Sequence, residues 1–139
     1  MAYRFTRDER FLNTAQRAAA YFIDNLPADH VPYWDFKAPG IPNEPRDASA
    51  AAIAASGLLE LSSYTADSSK SRWLFAEAEA ILQSLASSAY SSAGTLSRGI
   101  TLHSVTSKPG NLEVDVTLIY ADYYFLEALL KYRRMRSTR

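Results

Sequence analysis

The sequence predicts an all-α fold of about two helical hairpins, with its long loops gathered at one end. Three observations carry this. Apolar residues recur at three- and four-residue spacing in four separate segments. Five of the six prolines fall within residues 27–46, where each removes a backbone donor and breaks helix. Two of the four segments are apolar on one side and two are apolar or small on nearly every side, the pattern of outer and inner helices.

The first helix is expected over Asp8 to Asn25, capped by Thr6 with Glu9 as its capping-box partner. Phe11, Ala15, Ala18, Phe22 and Leu26 form its apolar stripe, and Pro27 marks its end. Residues 27–46 form a loop, yet Val31, Tyr33, Trp34 and Phe36 make it too apolar for a solvated connector. Asp47 caps a second helix over Ala48–Leu61, whose first turns are small on every side and let neighbouring backbones approach closely. After a turn at Thr65–Ser69, a one-sided third helix is expected over Lys70 to Ala89, with Leu74, Ala78, Ile81, Leu82 and Leu85 inward. Residues 90–113 read as irregular, with a short extended piece at Gly99–His103. The last helix, Asp115 to Met135, is apolar nearly all round and so is expected to be buried on most faces. Both long loops precede an inner helix, so antiparallel alternation places them at one end, where a site would be built.

Composition narrows the function. Fifteen Lys and Arg balance fifteen Asp and Glu, so the cationic excess that nucleic acid requires is absent; only the tail 131–139 is basic. Without cysteine there is no disulfide framework and no thiolate zinc site. No apolar run approaches the ~20 residues of a bilayer span. Met1-Ala2-Tyr3-Arg4 does not open a signal peptide, which leaves the cytoplasm as the default expectation.

Certain strings carry a resemblance. Val31-Pro32-Tyr33-Trp34-Asp35-Phe36, the run from Pro45-Arg46-Asp47 through Leu61, Gly99-Ile100-Thr101-Leu102-His103, Glu113-Val114-Asp115-Val116 and Ile119 to Leu129 together resemble the unsaturated glucuronyl hydrolases, glycoside hydrolase family 88. The resemblance covers nearly the whole chain, with 62–98 the least familiar part. It implies an incomplete (α/α)6 toroid: residues 1–139 as a single partial domain, the C-terminal third of a barrel of six inner and six outer helices. It also implies a substrate, an oligosaccharide with an unsaturated uronate end, and a reaction that hydrates the C4–C5 double bond so that the product hemiketal collapses and releases the sugar. An aspartate supplies the proton. The resemblance implies no metal and no organic cofactor. The family's catalytic aspartates match no residue here, so no catalytic residue is assigned and the chain alone is expected to be inactive.

The candidate contacts lie in the two loops. His103, Ser104, Ser107 and Lys108 resemble the segment lining the leaving-sugar side of the cleft, and supply hydroxyls and a cation; the alternative is a solvated loop with a capping histidine. Tyr33 and Trp34 offer flat faces to a sugar, or plug the top of the barrel. Asp35, Glu44, Asp47, Glu113 and Asp115 are the carboxylates at this end, and Asp47 and Asp115 are explained as helix caps. Asp122 reads as hydrogen-bonded structure and Arg46 as a partner for a carboxylate. The inner-helix N-termini also point here, where their amides favour an anion. The competing readings are a non-catalytic helical carbohydrate-binding module and a barrel-completing interaction fragment that self-associates through exposed barrel faces.

Overall fold

The structure, a computed structural model, describes residues 2–137. In chain order its elements are α1 (Tyr3–Thr6), α2 (Glu9–Asp24), α3 (Ala48–Tyr64), α4 (Ser68–Leu85), β1 (Ser104–Ser107), β2 (Leu112–Val116) and α5 (Ile119–Arg136). Thr138 and Arg139 of the basic tail lie outside the described residues; the rest of that tail continues and ends α5.

The centre is α3. Its Ala48, Ala51, Ala52, Ala55 and Leu59 are fully buried, and α4 and α5 pack against it from two sides. Short side chains permit that approach. Asp67 caps α4, whose Leu74, Ala78, Ile81, Leu82 and Leu85 form the inward face anticipated from their spacing. Phe75 of α4 stacks on Tyr132 of α5 at 5.5 Å, closing the third side of the core. Between α3 and α5 runs a polar seam. Ser56 donates to Glu127, and Lys131 Nζ donates to Ser56 Oγ at 2.8 Å and reaches Glu127 Oε2 at 3.1 Å. The Ser56 hydroxyl, then Lys131, hold the Glu127 carboxyl below the usual carboxylate range.

Several sequence expectations are corrected. Asp8, not Thr6, caps the first long helix by accepting from Arg10 N at 2.9 Å; the chain turns at Arg7, whose φ of 57° separates α1 from α2. The buried face of α2 is Leu12 and Ala19, whereas Phe11 and Ala18 are exposed, because α2 touches α3 only lightly and leaves a groove between them. The last helix begins at Ile119. Residues expected at its start belong to β2, which pairs antiparallel with β1 in the register Ser104 with Val116, Val105 with Val114 and Ser107 with Leu112. Leu112, Val114 and Val116 recur with period two after a Pro109-Gly110 turn, a strand signal at the end of the presumed loop. Nor is α5 buried on most faces. Ala121, Phe125 and Ala128 are buried, but Ile119 is 87% exposed and Tyr123, Leu126 and Leu130 are bare beside it. No helix among the described residues is long and apolar enough to cross a membrane.

Asp122, in the first turn of α5, ties the second loop to the helix. Its carboxylate accepts from Ile100 N, Thr101 N and Thr101 Oγ1, each at 2.9 Å, and Thr101 is wholly buried. Removing the acceptor strands three donors at once. Asp122→Ala is expected to lower the unfolding free energy by about 2–4 kcal/mol, with Asp122→Asn losing less. Urea titrations at fixed protein concentration measure both.

Candidate functional site

The two long loops meet over the N-terminus of α3. Ala48 N donates to His103 O at 2.9 Å, and Asp47 N to Pro32 O at 2.8 Å. Asp47 Oδ1 accepts from Ser49 N at 3.0 Å and Ser49 Oγ at 2.6 Å, and also from Val105 N at 3.3 Å. One carboxylate thus caps the helix and holds β1 in place. The anion expected at this helix end finds no free amide, because the first turn is already occupied. That expectation is corrected for α3.

Beside this junction lies an open cleft of about 410 Å³, lined by Asn43, Glu44, Pro45 and Arg46 from one loop and Ala89, Tyr90, His103 and Asp115 from the other. Its floor is a linked set of side chains. Tyr90 OH donates to Asp29 Oδ2 at 2.6 Å, and Arg46 Nη1 lies 3.1 Å from Asp29 Oδ1 and donates to Val31 O at 2.6 Å. The Arg46 guanidinium also sits 4.0 Å above the Tyr33 ring. Asp29 therefore joins the two loops through one residue from each. Burial, with the Asp29 carboxylate beside it, pushes the Tyr90 phenol well above its ordinary range, so it stays a donor.

The wall is built from His103 and Asp115, whose Nδ1 and Oδ1 are 2.5 Å apart. Both residues have positive φ, 63° and 61°, conformations that L side chains adopt rarely. Asp115 therefore does not cap a helix, as its sequence position had suggested. It holds the histidine ring, which also meets the edge of Tyr90 at 5.9 Å. Glu44, on the opposite rim, accepts from Trp34 Nε1 at 2.8 Å.

Of the residues singled out in sequence, His103 lines the cleft. Tyr33 and Trp34 lie behind its rim: Arg46 covers a face of the first, and the second is committed to Glu44. Ser104 departs from expectation. It is 0% exposed, with Oγ buried and unpartnered, so it presents no surface to a ligand. Ser107, the last residue of β1, and Lys108, the first of the turn after it, stand outside the cleft lining; Ser107 Oγ accepts from Gly110 N at 3.3 Å. Asp35 accepts from Lys37 N and Glu113 from Thr106 Oγ1, both at the surface. Sequence reasoning missed Asp29 and Tyr90. Tyr90 could have been flagged as the single aromatic residue within the Ser- and Ala-rich stretch 86–94. Among the described residues no His, Asp or Glu cluster could hold a metal ion.

The Tyr90 geometry has a pH consequence. The phenol binds its proton more tightly folded than unfolded, where its ordinary value is 10.0. Its contribution to stability is complete below that pH and is lost as pH rises above it. Unfolding midpoints in urea are expected to fall between about pH 9.5 and 11, and Tyr90→Phe to flatten that fall. A Tyr90→Phe slope equal to wild type would place the loss in other tyrosines.

No family model matches the chain. Individual proteins do. An unsaturated glucuronyl hydrolase from Formosa agariphila is 42% identical over 93% of this chain and 32% of its own length. The crystal structure of an unsaturated glucuronyl hydrolase specific for heparin superposes with a TM-score of 0.90 at 40% identity, covering 97% of this chain and 36% of that one. A mutant unsaturated glucuronyl hydrolase from Streptococcus agalactiae, complexed with dGlcA-GalNAc6S, matches with a TM-score of 0.84 at 34% identity over 94% of this chain and 35% of its own. The chain thus spans about a third of the length of the proteins it matches. In sequence and in fold it is a relative of the unsaturated glucuronyl hydrolases of glycoside hydrolase family 88, and corresponds to the C-terminal third of their (α/α)6 barrel.

Proposed function

We propose that the chain is the leaving-sugar side of a glycoside hydrolase acting on oligosaccharides with a Δ4,5-unsaturated uronate end. One coincidence supports this best: 42% identity to such a hydrolase, in a chain whose two long loops converge on a single open cleft. In this reading a proton adds to C4 and water to C5, and the resulting hemiketal collapses and releases the sugar. The acid that delivers the proton lies outside these 139 residues. Asp47 is occupied as a cap, while Glu44 and Asp115 already accept from Trp34 and His103. What the chain supplies is contact. His103 and Arg46 donate to sugar hydroxyls from the cleft, Trp34 and Tyr33 stiffen its rim, and Ser107 at the end of β1 and Lys108 in the turn after it reach a sulfate; Ser104 backs the wall from within. Contacts made equally in ground and transition states bind without accelerating.

The early engagement of both cleft carboxylates favours a second reading, a helical module that binds the sugar without chemistry. The two part on turnover. The purified chain is expected to leave the ultraviolet absorbance of an unsaturated disaccharide unchanged, even at high concentration. Joined in cis to the remaining two-thirds of the Formosa agariphila relative, it is expected to consume that absorbance; failure there, with the chimera folded, favours the binding module. In the active chimera, Lys108→Ala should raise KM for a sulfated disaccharide about tenfold more than for its unsulfated counterpart, the scale of one charge-assisted bond. Turnover by the 139 residues alone, abolished by Asp47→Asn or Asp35→Asn, would overturn the assignment.

A further inference from the structure

His103 and Asp115 both hold left-handed backbone, at φ 63° and 61°, which a residue with a Cβ keeps only where its surroundings impose it. Here they do. Asp115 is the extra residue of a bulge: Ser104 pairs with Val116 and Val105 with Val114, which leaves Asp115 without a partner across the ladder. His103 is held through its carbonyl, which accepts from Ala48 N at 2.9 Å, and the preceding Leu102 N donates to Tyr90 O at 2.8 Å. What these conformations secure is the 2.5 Å contact between Nδ1 and Oδ1. The two side chains are 44% and 61% exposed, and a pair so open to water adds little stability. Folding does not account for the arrangement.

We propose that Asp115 is a positioning residue: it keeps the proton of His103 on Nδ1, so that Nε2 faces the cleft and selects a hydroxyl over a sulfate ester on the leaving sugar. An ionised carboxylate only accepts, so the nitrogen beside it carries the proton, and a neutral ring then has its lone pair on Nε2. Nε2 makes no hydrogen bond to any described residue, and His103 lines the cleft. The other titratable and charged groups around it are Tyr90, whose edge it meets, and Glu44 and Arg46 across the opening. Tyr90 OH is committed to Asp29 and Glu44 accepts from Trp34; Arg46 keeps a donor, but Asp29 offsets its charge. Glu44 and Asp115 are left unbalanced. A hydroxyl donates to the Nε2 lone pair. A sulfate ester brings only acceptors and a negative charge, against that lone pair and two carboxylates. A second proton on the ring makes Nε2 a donor, so the preference belongs to the neutral ring. The selectivity rests on the glycoside hydrolase reading; the position of the proton does not.

His30 and His103 are the only histidines, so nitrogen-15 spectra of the imidazoles read the tautomer directly in the 139-residue chain. With the ring neutral, His103 is expected to show a protonated Nδ1 and a bare Nε2. Asp115→Asn turns an amide toward Nδ1 and is expected to move the proton to Nε2; at a site 61% exposed it leaves the fold intact, which circular dichroism checks. An Nε2 proton in wild type, or a tautomer that Asp115→Asn leaves unchanged, overturns the positioning role whether or not the hydrolase reading holds. The active chimera then reads selectivity, at a pH where the ring is neutral, on an unsulfated unsaturated disaccharide and its 4-O- and 6-O-sulfated isomers. At least one sulfated isomer is expected to have a KM about tenfold above the unsulfated sugar, and Asp115→Asn to bring that ratio to about one. In a His103→Ala background, Asp115→Asn should change the ratio by less than about twofold, the share of one exposed charge. Equal KM values for all three sugars, or a full Asp115→Asn effect without the ring, overturns the selectivity. A chimera that folds without turnover defeats the hydrolase reading and leaves the spectra to decide where the proton sits.

Discussion

The first turn of α3 is buried, and its amides must find partners inside the protein. Ala48 and Ala51 are fully enclosed and Ser49 nearly so, which leaves water no access to the amides a helix cannot satisfy by itself. Asp47 supplies an acceptor for Ser49, and His103 O supplies one for Ala48, drawn from more than fifty residues further along the chain. Because one acceptor comes from each loop, burying this helix end brings both loops together. An unpaired amide there would cost about 1–3 kcal/mol, enough to matter in a chain of this size. The cleft follows from that closure, since it is the space left between two loops pinned to one helix end.

The same constraint gives the cleft its character. Asp29 takes the Tyr90 hydroxyl from one loop and the Arg46 guanidinium from the other, which fixes the floor. Asp115 and Glu44, the carboxylates of the walls, are each held by a neighbour's N–H group or ring nitrogen. Side chains so engaged are held in fixed orientations along the cleft.

The arc carries a different tension at its edges. Helices meant to be enclosed on two sides keep apolar residues on both, whether or not both neighbours are present. Thus α5 and α3 bury one flank against each other and leave the opposite flank bare.

Much of this was legible in the sequence. Apolar spacing placed α3 and α4 within a few residues, because a helix buried on a fixed face leaves a period of 3.6 that no neighbour can alter. The caps at Asp47 and Asp67 and the proline-rich loop follow from local backbone chemistry, and so did the structural role of Asp122. Other features depended on partners distant in sequence. The hairpin of β1 and β2 requires two short segments to pair, and alternating apolar residues beside a turn were masked by the helix that follows. Asp115 looked like a cap and instead holds His103, since its role depends on where the second strand lands. Asp29 and Tyr90 are sixty-one residues apart and carry no shared pattern. The sequence by itself determined that four long helices form, the inward face of α4 and the end at which the loops gather, because those depend on neighbours within a turn or two. Tertiary structure alone decided which side chains meet in the cleft and which faces stay bare, because hydrogen bonds across loops and packing between helices are set by distances that only the closed fold defines.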